Sequence, residues 1–127
     1  MNGALLDTSI VIASDDEELA LPERAAISVI TLGELHAGVL LARSGGSRAA
    51  REARFRAITE AFDPIPVGSE IAVEFGEALA WTRSQGRSER ATDLLIVATA
   101  RATGRVLHTL DRGQATVAQG LGVEVGG

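Results

Sequence analysis

Short apolar runs along this chain predict strands. Residues Ala4 to Ala13 form such a run, interrupted by Asp7-Thr8-Ser9, which predicts a buried strand that ends at an acid and leads into a helical turn. The other predicted strands are Ala25–Ile30, Asp63–Val67, Val106–Leu110 and Val123–Val125. The prolines of the Asp63–Val67 segment favour an edge position, because proline cannot donate a hydrogen bond to a strand ladder.

Longer segments place their apolar residues at helical spacing. The predicted helices are Thr31–Ala42, Arg48–Phe62, Ser69 to about Ser84, Thr92–Thr103 and Gln114–Gln119. Ser69 is the predicted cap of the third helix, which ends at Gln85-Gly86. Gly104 is predicted to end the apolar helix Thr92–Thr103. Strands alternate with helices, which is typical of parallel strands joined by right-handed crossovers. The sequence therefore predicts one α/β domain over residues 1–127, a three-layer sandwich with a central, mainly parallel sheet of four to five strands flanked by helices.

The amino-acid composition excludes several kinds of chemistry. Cysteine is absent, so there is no disulfide, thiol nucleophile or cysteine metal site. All 12 basic residues are arginine, and without lysine neither the usual phosphate-binding P-loop nor Schiff-base catalysis is possible. The remaining groups are carboxylates, hydroxyls, arginines, two histidines and the backbone.

The net charge of −5 argues at first against a nucleic-acid partner, but the charge is unevenly distributed. The window from Arg43 to Ile58 carries +4, which leaves −9 for the rest of the chain. Its arginine stripe, Arg48–Arg51–Arg54, is either an RNA groove or an ordinary charged helix face. Asp15-Asp16-Glu17-Glu18 is predicted as a solvated acidic loop or helix start.

No apolar run approaches the ~20 residues needed to cross a bilayer. Asp7 also interrupts the N-terminus before the apolar core of a signal peptide forms. We therefore expect a cytoplasmic protein without a membrane partner.

Four acids are expected to lie near the same edge of the predicted sheet: Asp7, Glu34, Asp93 and Asp111. Three of them follow predicted strands, and Asp93 opens the apolar helix. Because the carboxyl ends of parallel strands meet at one edge of a sheet, these side chains are expected to converge there. Carboxylates brought together repel one another unless a cation is present, and oxygen-rich sites suit Mg²⁺ or Mn²⁺.

Each acid also has a purely structural explanation. Thr31-Leu32-Gly33-Glu34 matches a capping box in which Glu34 reaches back to the Thr31 amide. Asp93 is placed where a negative charge stabilises a helix N-terminus, and Asp7 and Asp111 are possible caps. The conjunction favours a site, because Asp7 interrupts an apolar stretch and Asp93 opens the helix expected to be most buried.

Four segments carry a resemblance to a known family. They are Leu5-Leu6-Asp7-Thr8-Ser9, Ser28-Val29-Ile30-Thr31-Leu32-Gly33-Glu34-Leu35 with Gly38, Thr92-Asp93-Leu94-Leu95-Ile96-Val97-Ala98-Thr99-Ala100, and Leu107-His108-Thr109-Leu110-Asp111. In this order and spacing the chain resembles the PIN-domain ribonucleases, most closely the VapC-type toxins of bacterial toxin–antitoxin pairs. The resemblance implies a parallel sheet flanked by helices, an acidic pocket for one or two Mg²⁺ or Mn²⁺ ions, an RNA substrate, a homodimer, and an antitoxin that plugs the pocket.

The resemblance also implies roles for single residues. Asp7, Asp93 and Glu34 hold the metal, directly or through water, and Asp111 completes the site or supports a second ion. Thr8, Ser9 and Thr109 are candidates for orienting the carboxylates, and Arg112 is a candidate for phosphate contact. Without an evident histidine pair for metal-free cleavage, the expected products have 5′-phosphate and 3′-hydroxyl ends. The chain departs from the family after Asp111, where relatives often carry an aromatic and this chain has Arg112-Gly113-Gln114-Ala115.

Other residues have simpler interpretations. His36 and His108 are read as structural histidines, the Glu70–Glu74–Glu77 stripe as a solvated face, and Trp81 as core or subunit interface. An aspartate-nucleophile phosphatase or a receiver domain would need a lysine that is missing. A housekeeping RNA-processing nuclease and a non-catalytic scaffold of the same fold remain as alternatives.

Overall fold

Six helices and four strands follow one another in residues 2–16, 22 and 24–126, which are the residues that the computed structural model describes. They are β1 (Ala4–Leu6), α1 (Thr8–Asp16), β2 (Ala25–Ala26), α2 (Val29–Leu40), α3 (Gly45–Ala61), α4 (Ser69–Ser84), α5 (Ala91–Thr103), β3 (Val106–His108), α6 (Arg112–Gly120) and β4 (Val125–Gly126). The predicted acidic segment at Asp15-Asp16-Glu17-Glu18 ends outside the described residues.

The four strands form one parallel sheet in the order β2-β1-β3-β4. Leu5 of β1 pairs with Leu107 of β3 at the centre, and neither side chain is exposed to solvent. The amide of Asp7 donates to the carbonyl of His108 (2.9 Å), so the pairing continues to the residue that follows β1. The predicted parallel sheet is confirmed, and its carboxyl edge carries Asp7 at the middle.

Helices cover both faces of this sheet. Successive strand residues point to opposite faces, so Leu5 and Leu6 enter different cores. Leu5 packs against Ile96 and Val97 of α5. On the other face Leu6 packs with Val11 of α1 and with Leu35 of α2, and α3 adds half-buried apolar side chains to that cluster. The predicted three-layer arrangement is therefore confirmed.

The predicted strand Asp63–Val67 is reduced to a single bridge between Ile65 and Ser28. Ile65 donates to the carbonyl of Ile27 (2.9 Å) and accepts from the amide of Val29 (3.1 Å). Pro64 and Pro66 on either side have no N–H to extend the ladder.

Several helices begin earlier than the sequence predicts, because a polar residue before the predicted start acts as the cap. Ser28 accepts from the amide of Ile30 (3.0 Å), so α2 begins at Val29 and the predicted strand Ala25–Ile30 shrinks to two residues. With Ser44 as its cap, α3 begins three residues before its predicted start, and with Asp111 as its cap, α6 begins two residues before its predicted start. Ser69 was predicted to cap α4 but is its first residue. The cap position is occupied by Gly68, so no side chain caps this helix.

The apolar helix α5 is central, as predicted. Its residues Ile96, Val97, Ala98 and Ala100 have no exposed surface, and Gly104 ends the helix in the left-handed conformation (φ 64°) that glycine adopts without strain. Trp81 of α4 packs onto the core cluster between α4, α5 and α6. Within the described ranges, none of the helices combines the length and the apolar character needed to cross a membrane.

Candidate active site

All four predicted acids line one open cleft of about 310 Å³ at the carboxyl edge of the sheet. The residues lining it are Asp7, Thr8, Ser9, Ile12, Glu34, Arg90, Asp93 and Asp111. Asp7 follows β1, Glu34 lies in the second turn of α2, Asp93 in the first turn of α5, and Asp111 directly before α6. Four segments that are distant in sequence therefore contribute one carboxylate each.

Asp7 is buried, with 5% of its surface exposed, and both carboxylate oxygens accept hydrogen bonds. Its Oδ2 accepts from the amide of Ser9 (3.1 Å), the hydroxyl of Ser9 (2.6 Å) and the hydroxyl of Thr109 (3.2 Å). Its Oδ1 accepts from Nε2 of Gln114 (3.2 Å). Ser9 and Thr109, which the sequence suggests as orienting residues, thus contact this carboxylate directly.

Glu34 is held by Thr8, whose hydroxyl donates to Oε1 over 2.7 Å and lies 3.0 Å from the hydroxyl of the buried Thr31. The capping-box interpretation of Glu34 is wrong. The amide of Thr31 donates to the carbonyl of Ser28 (3.0 Å), because the helix begins at Val29 and Thr31 is already inside it. Glu34 is therefore free of a capping role and faces the cleft.

Asp93 is buried and pairs with Arg90. The two residues are joined by Arg90 Nε to Asp93 Oδ2 (3.2 Å) and Arg90 Nη2 to Asp93 Oδ1 (3.4 Å). Burial raises the pKa of Asp93, the hydrogen bond and charge of Arg90 oppose this rise, and Asp111 and Asp7 add to it. The pKa of Arg90 is raised, first by its hydrogen bond to Asp93 and less by the charges of Glu34 and Asp111. The charges of Asp7 and Asp111 thus act on Asp93, and those of Glu34 and Asp111 act on Arg90.

Asp111 has a structural role as well as its place in the cleft. Its Oδ1 accepts from the amide of Gln114 (3.1 Å), which makes it the cap of α6, as one interpretation of the sequence predicts. Its own amide donates to the hydroxyl of Thr109 (3.0 Å). Thr109 therefore connects Asp111 to Asp7.

Three residues at the site were not predicted from the sequence. Arg90 precedes Asp93 by three residues, which on a helix is the spacing of an ion pair and was the available signal. Gln114 is 1% exposed and contacts Asp7. The sequence feature that could have indicated Gln114 is the segment after Asp111, where this chain departs from the family and in which Gln114 lies. Ile12 adds an apolar wall, 42% exposed, for which the sequence gives no signal.

Other candidates lie outside the cleft. Arg112 is exposed and does not line it. His36 is exposed and its ring packs near Phe55, with 5.3 Å between centroids, while His108 belongs to β3. Glu74 and Glu77 both bind Arg101 of α5 at 3.0 Å, so that part of the stripe joins two helices.

The donor set of the cleft fits a hard divalent cation. It offers four carboxylates with hydroxyl groups beside them, the oxygen ligands that Mg²⁺ and Mn²⁺ prefer. As they stand, no three acidic or histidine side chains of the described residues are arranged to hold one ion. Each carboxylate accepts hydrogen bonds from the protein itself: from Ser9, Thr109 and Gln114 for Asp7, from Thr8 for Glu34, from Arg90 for Asp93, and from a helix amide for Asp111.

Comparisons with known proteins agree with this geometry. A family model described as PIN domain matches residues 4–120. The chain is 41% identical over 100 residues to Ribonuclease VapC8 of Mycobacterium tuberculosis, which covers 76% of this chain and 88% of that one. It is 31% identical over 125 residues to Ribonuclease VapC5 of the same organism, covering 95% and 92%. The solved structure of VapBC-5, a member of the VapBC family of toxin–antitoxin systems from M. tuberculosis, matches with a TM-score of 0.85 and 33% identity over 98% of both chains. This chain belongs to the PIN-domain family.

Proposed function

We propose that this protein is a metal-dependent endoribonuclease and the toxin of a toxin–antitoxin pair. The observation that carries the proposal is the convergence of Asp7, Glu34, Asp93 and Asp111 on one cleft, in a chain 41% identical to a protein named as a ribonuclease. The solved neighbour described as a toxin–antitoxin system supports the biological role.

Asp7, Asp93 and Glu34 would hold a Mg²⁺ or Mn²⁺ ion, and Asp111 would complete the site. An ion held by these carboxylates would supply Lewis-acid chemistry: it would activate a water molecule for attack and offset charge on the scissile phosphate. Ser9, Thr109 and Thr8 fix the orientation of Asp7 and Glu34 through the hydrogen bonds described above.

Arg90 stands at the mouth of the cleft with 73% of its side chain exposed. A guanidinium in this position suits contact with an RNA phosphate, because its planar array of donors matches phosphate oxygens. A neighbouring hollow of about 210 Å³ continues the surface: it shares Ile12 and Glu34 with the cleft and adds Arg51 and Arg54 of α3. This basic wall gives the RNA backbone a path to the acids, which supports the RNA-groove interpretation of the arginine stripe.

The partner would be an antitoxin that presents a basic side chain to the acids. Four carboxylates in one cleft attract an arginine or lysine as well as a metal ion, and Arg90 shows that a guanidinium fits beside Asp93. Apolar residues of the partner would add affinity against exposed Ile12, Leu40 and Leu41. We further propose that the protein forms a homodimer, acts on RNA in the cytoplasm, and uses residues 1–127 as one nuclease domain.

Expression in cells tests the toxin role. The protein expressed alone should arrest growth, and its cognate partner should relieve the arrest. Asp7→Asn should abolish the arrest while partner binding stays measurable, whereas Asp63→Asn, the same change at an exposed acid outside the cleft, should arrest growth like the wild type. A folded, metal-loaded wild-type protein that is harmless when expressed alone would contradict the toxin role and favour the housekeeping nuclease or scaffold.

A further inference from the structure

Gln114 is a buried polar residue that contacts three of the four acids of the cleft. Its Nε2 donates to Oδ1 of Asp7 and to the main-chain carbonyl of Asp93, both at 3.2 Å. Its backbone amide donates to Oδ1 of Asp111 at 3.1 Å. The residue is 1% exposed and lies in the first turn of α6, so solvent does not compete for these hydrogen bonds.

The contacts determine which way the amide group points. Both side-chain partners of Gln114, the carboxylate of Asp7 and the carbonyl of Asp93, are acceptors, so the NH₂ end must face them. The opposite end, Oε1, is buried without a hydrogen-bond partner among the described residues. An unpaired buried oxygen costs folding free energy, so packing alone does not explain an amide here.

An amide has the chemistry that this position requires. It provides two N–H donors without a positive charge, one for Asp7 and one for the Asp93 carbonyl. Arginine or lysine would neutralise Asp7 and compete with a cation, glutamate would repel it, and an apolar residue would leave both acceptors unpaired. The neutral donor orients Asp7 and leaves its negative charge available.

We infer that Gln114 is a positioning residue of the proposed nuclease site, which holds the Asp7 carboxylate and the start of α5 in register for cation binding. This inference rests on the proposed function. It concerns how the carboxylates are held and gives Gln114 no contact with RNA or with the reacting water.

The test compares two variants of the same helix. Gln114→Met removes both donors at nearly constant size, and Gln119→Met makes the same change at an exposed position of α6. For each purified protein, Mn²⁺ affinity is measured by calorimetry and RNA cleavage at saturating Mn²⁺ gives kcat and KM. Gln114→Met should weaken Mn²⁺ binding or lower kcat by about 10- to 100-fold, as loss of a residue that orients a metal ligand does, with KM for RNA unchanged. Gln119→Met should match the wild type.

The outcomes separate this inference from the proposed function. A Gln114→Met protein that is folded and keeps wild-type Mn²⁺ affinity and kcat overturns the inference and leaves the nuclease proposal standing. A wild-type protein that binds no Mn²⁺ overturns both.

A measurement on the wild type covers the case in which Gln114→Met does not fold. The chain has three glutamines and one asparagine, so only four side-chain carboxamide NH₂ groups contribute to an ¹⁵N–¹H spectrum. On titration with Mg²⁺ the Gln114 NH₂ signal should shift in step with metal binding, and the Gln119 signal should stay in place. A Gln114 signal that does not move at saturating Mg²⁺ overturns the inference.

Discussion

Arg90 lies one helical turn before Asp93 and holds it in a two-point ion pair, with Nε 3.2 Å from Oδ2 and Nη2 3.4 Å from Oδ1. The side chain of Asp93 is 9% exposed, whereas that of Arg90 is 73% exposed. The buried Asp93 carboxylate is therefore paired with a guanidinium that is exposed to solvent and accessible to a competing ligand. The chain supplies this cation to the cleft in which we propose that a metal ion binds.

Removing that guanidinium should make the protein more dependent on metal. Arg90→Gln leaves the buried Asp93 without this cation. Because the guanidinium is 73% exposed and therefore screened by solvent, the metal-free thermal midpoint should fall only modestly, by the equivalent of about 1 kcal/mol. Mn²⁺ should then raise the midpoint more in Arg90→Gln than in the wild type, because no internal cation competes with it. Differential scanning fluorimetry with and without Mn²⁺ measures both quantities.

Arg101→Gln is the matched control for this variant. Arg101 belongs to α5, which Arg90 directly precedes, and pairs with Glu74 and Glu77 away from the cleft. Its loss should lower stability without changing the Mn²⁺-induced rise. An equal rise in the wild type and in Arg90→Gln would show that the guanidinium and the metal do not compete.

Much of the fold is predictable because the layers are encoded in local patterns. The consecutive apolar residues Leu5 and Leu6, which point to opposite faces of the strand, and the apolar run of α5 indicate a sheet covered on both faces. Element boundaries are less predictable, because they depend on which of several polar residues caps a helix. The helices capped by Ser28, Ser44 and Asp111 each begin two to three residues before the start that apolar spacing indicates.

The acids of the site are predictable from the sequence, but the side chains that bind and orient these acids are not. Strand ends place Asp7 and Asp111 at one edge whatever their partners are. The contact between Gln114 and Asp7 joins residues 107 positions apart, and no local pattern specifies it. Arg90 has a local signal in its spacing from Asp93, yet only the burial of Asp93 makes that pair significant.

Mn²⁺ should stabilise the folded protein through Asp7. At a free concentration 100 times its Kd, a ligand that binds only the folded state adds about 2.7 kcal/mol to the free energy of unfolding. Asp7→Asn should remove most of this gain, and Asp63→Asn should retain it. A Mn²⁺-induced rise in thermal midpoint that is unchanged in Asp7→Asn would place the cation elsewhere.

The histidines should be dispensable for catalysis. His36 packs its ring near Phe55, and His108 belongs to β3, and neither lines the cleft. His36→Ala and His108→Ala should lower the thermal midpoint while the RNA cleavage rate of the folded protein is retained. A loss of about 10²- to 10⁴-fold in a folded histidine variant would indicate general acid–base catalysis by that histidine.

Two glycine-to-alanine changes should have opposite effects on stability. A Cβ at Gly120 would clash with the ring of Trp81, so Gly120→Ala should destabilise the protein by about 1–3 kcal/mol. A Cβ at Gly76 of α4 would meet no atom within 4 Å, so Gly76→Ala should stabilise by about 0.5–1 kcal/mol through helix propensity. Urea unfolding of both variants measures the difference. A neutral Gly120→Ala would show that the Trp81 ring does not pack against α6 in solution.

The activity that we propose for the carboxylates of the cleft is cleavage of RNA with the help of a divalent cation. Its most direct measurement is the cleavage of a single-stranded RNA by the wild type, Asp7→Asn, Asp93→Asn and Asp63→Asn, with Mn²⁺ and after chelation, with analysis of the product ends. We expect cleavage only with Mn²⁺, products with 5′-phosphate and 3′-hydroxyl ends, losses of several orders of magnitude in Asp7→Asn and Asp93→Asn, and full activity in Asp63→Asn. Cleavage that survives chelation, or a folded Asp7→Asn protein with wild-type activity, would contradict the account.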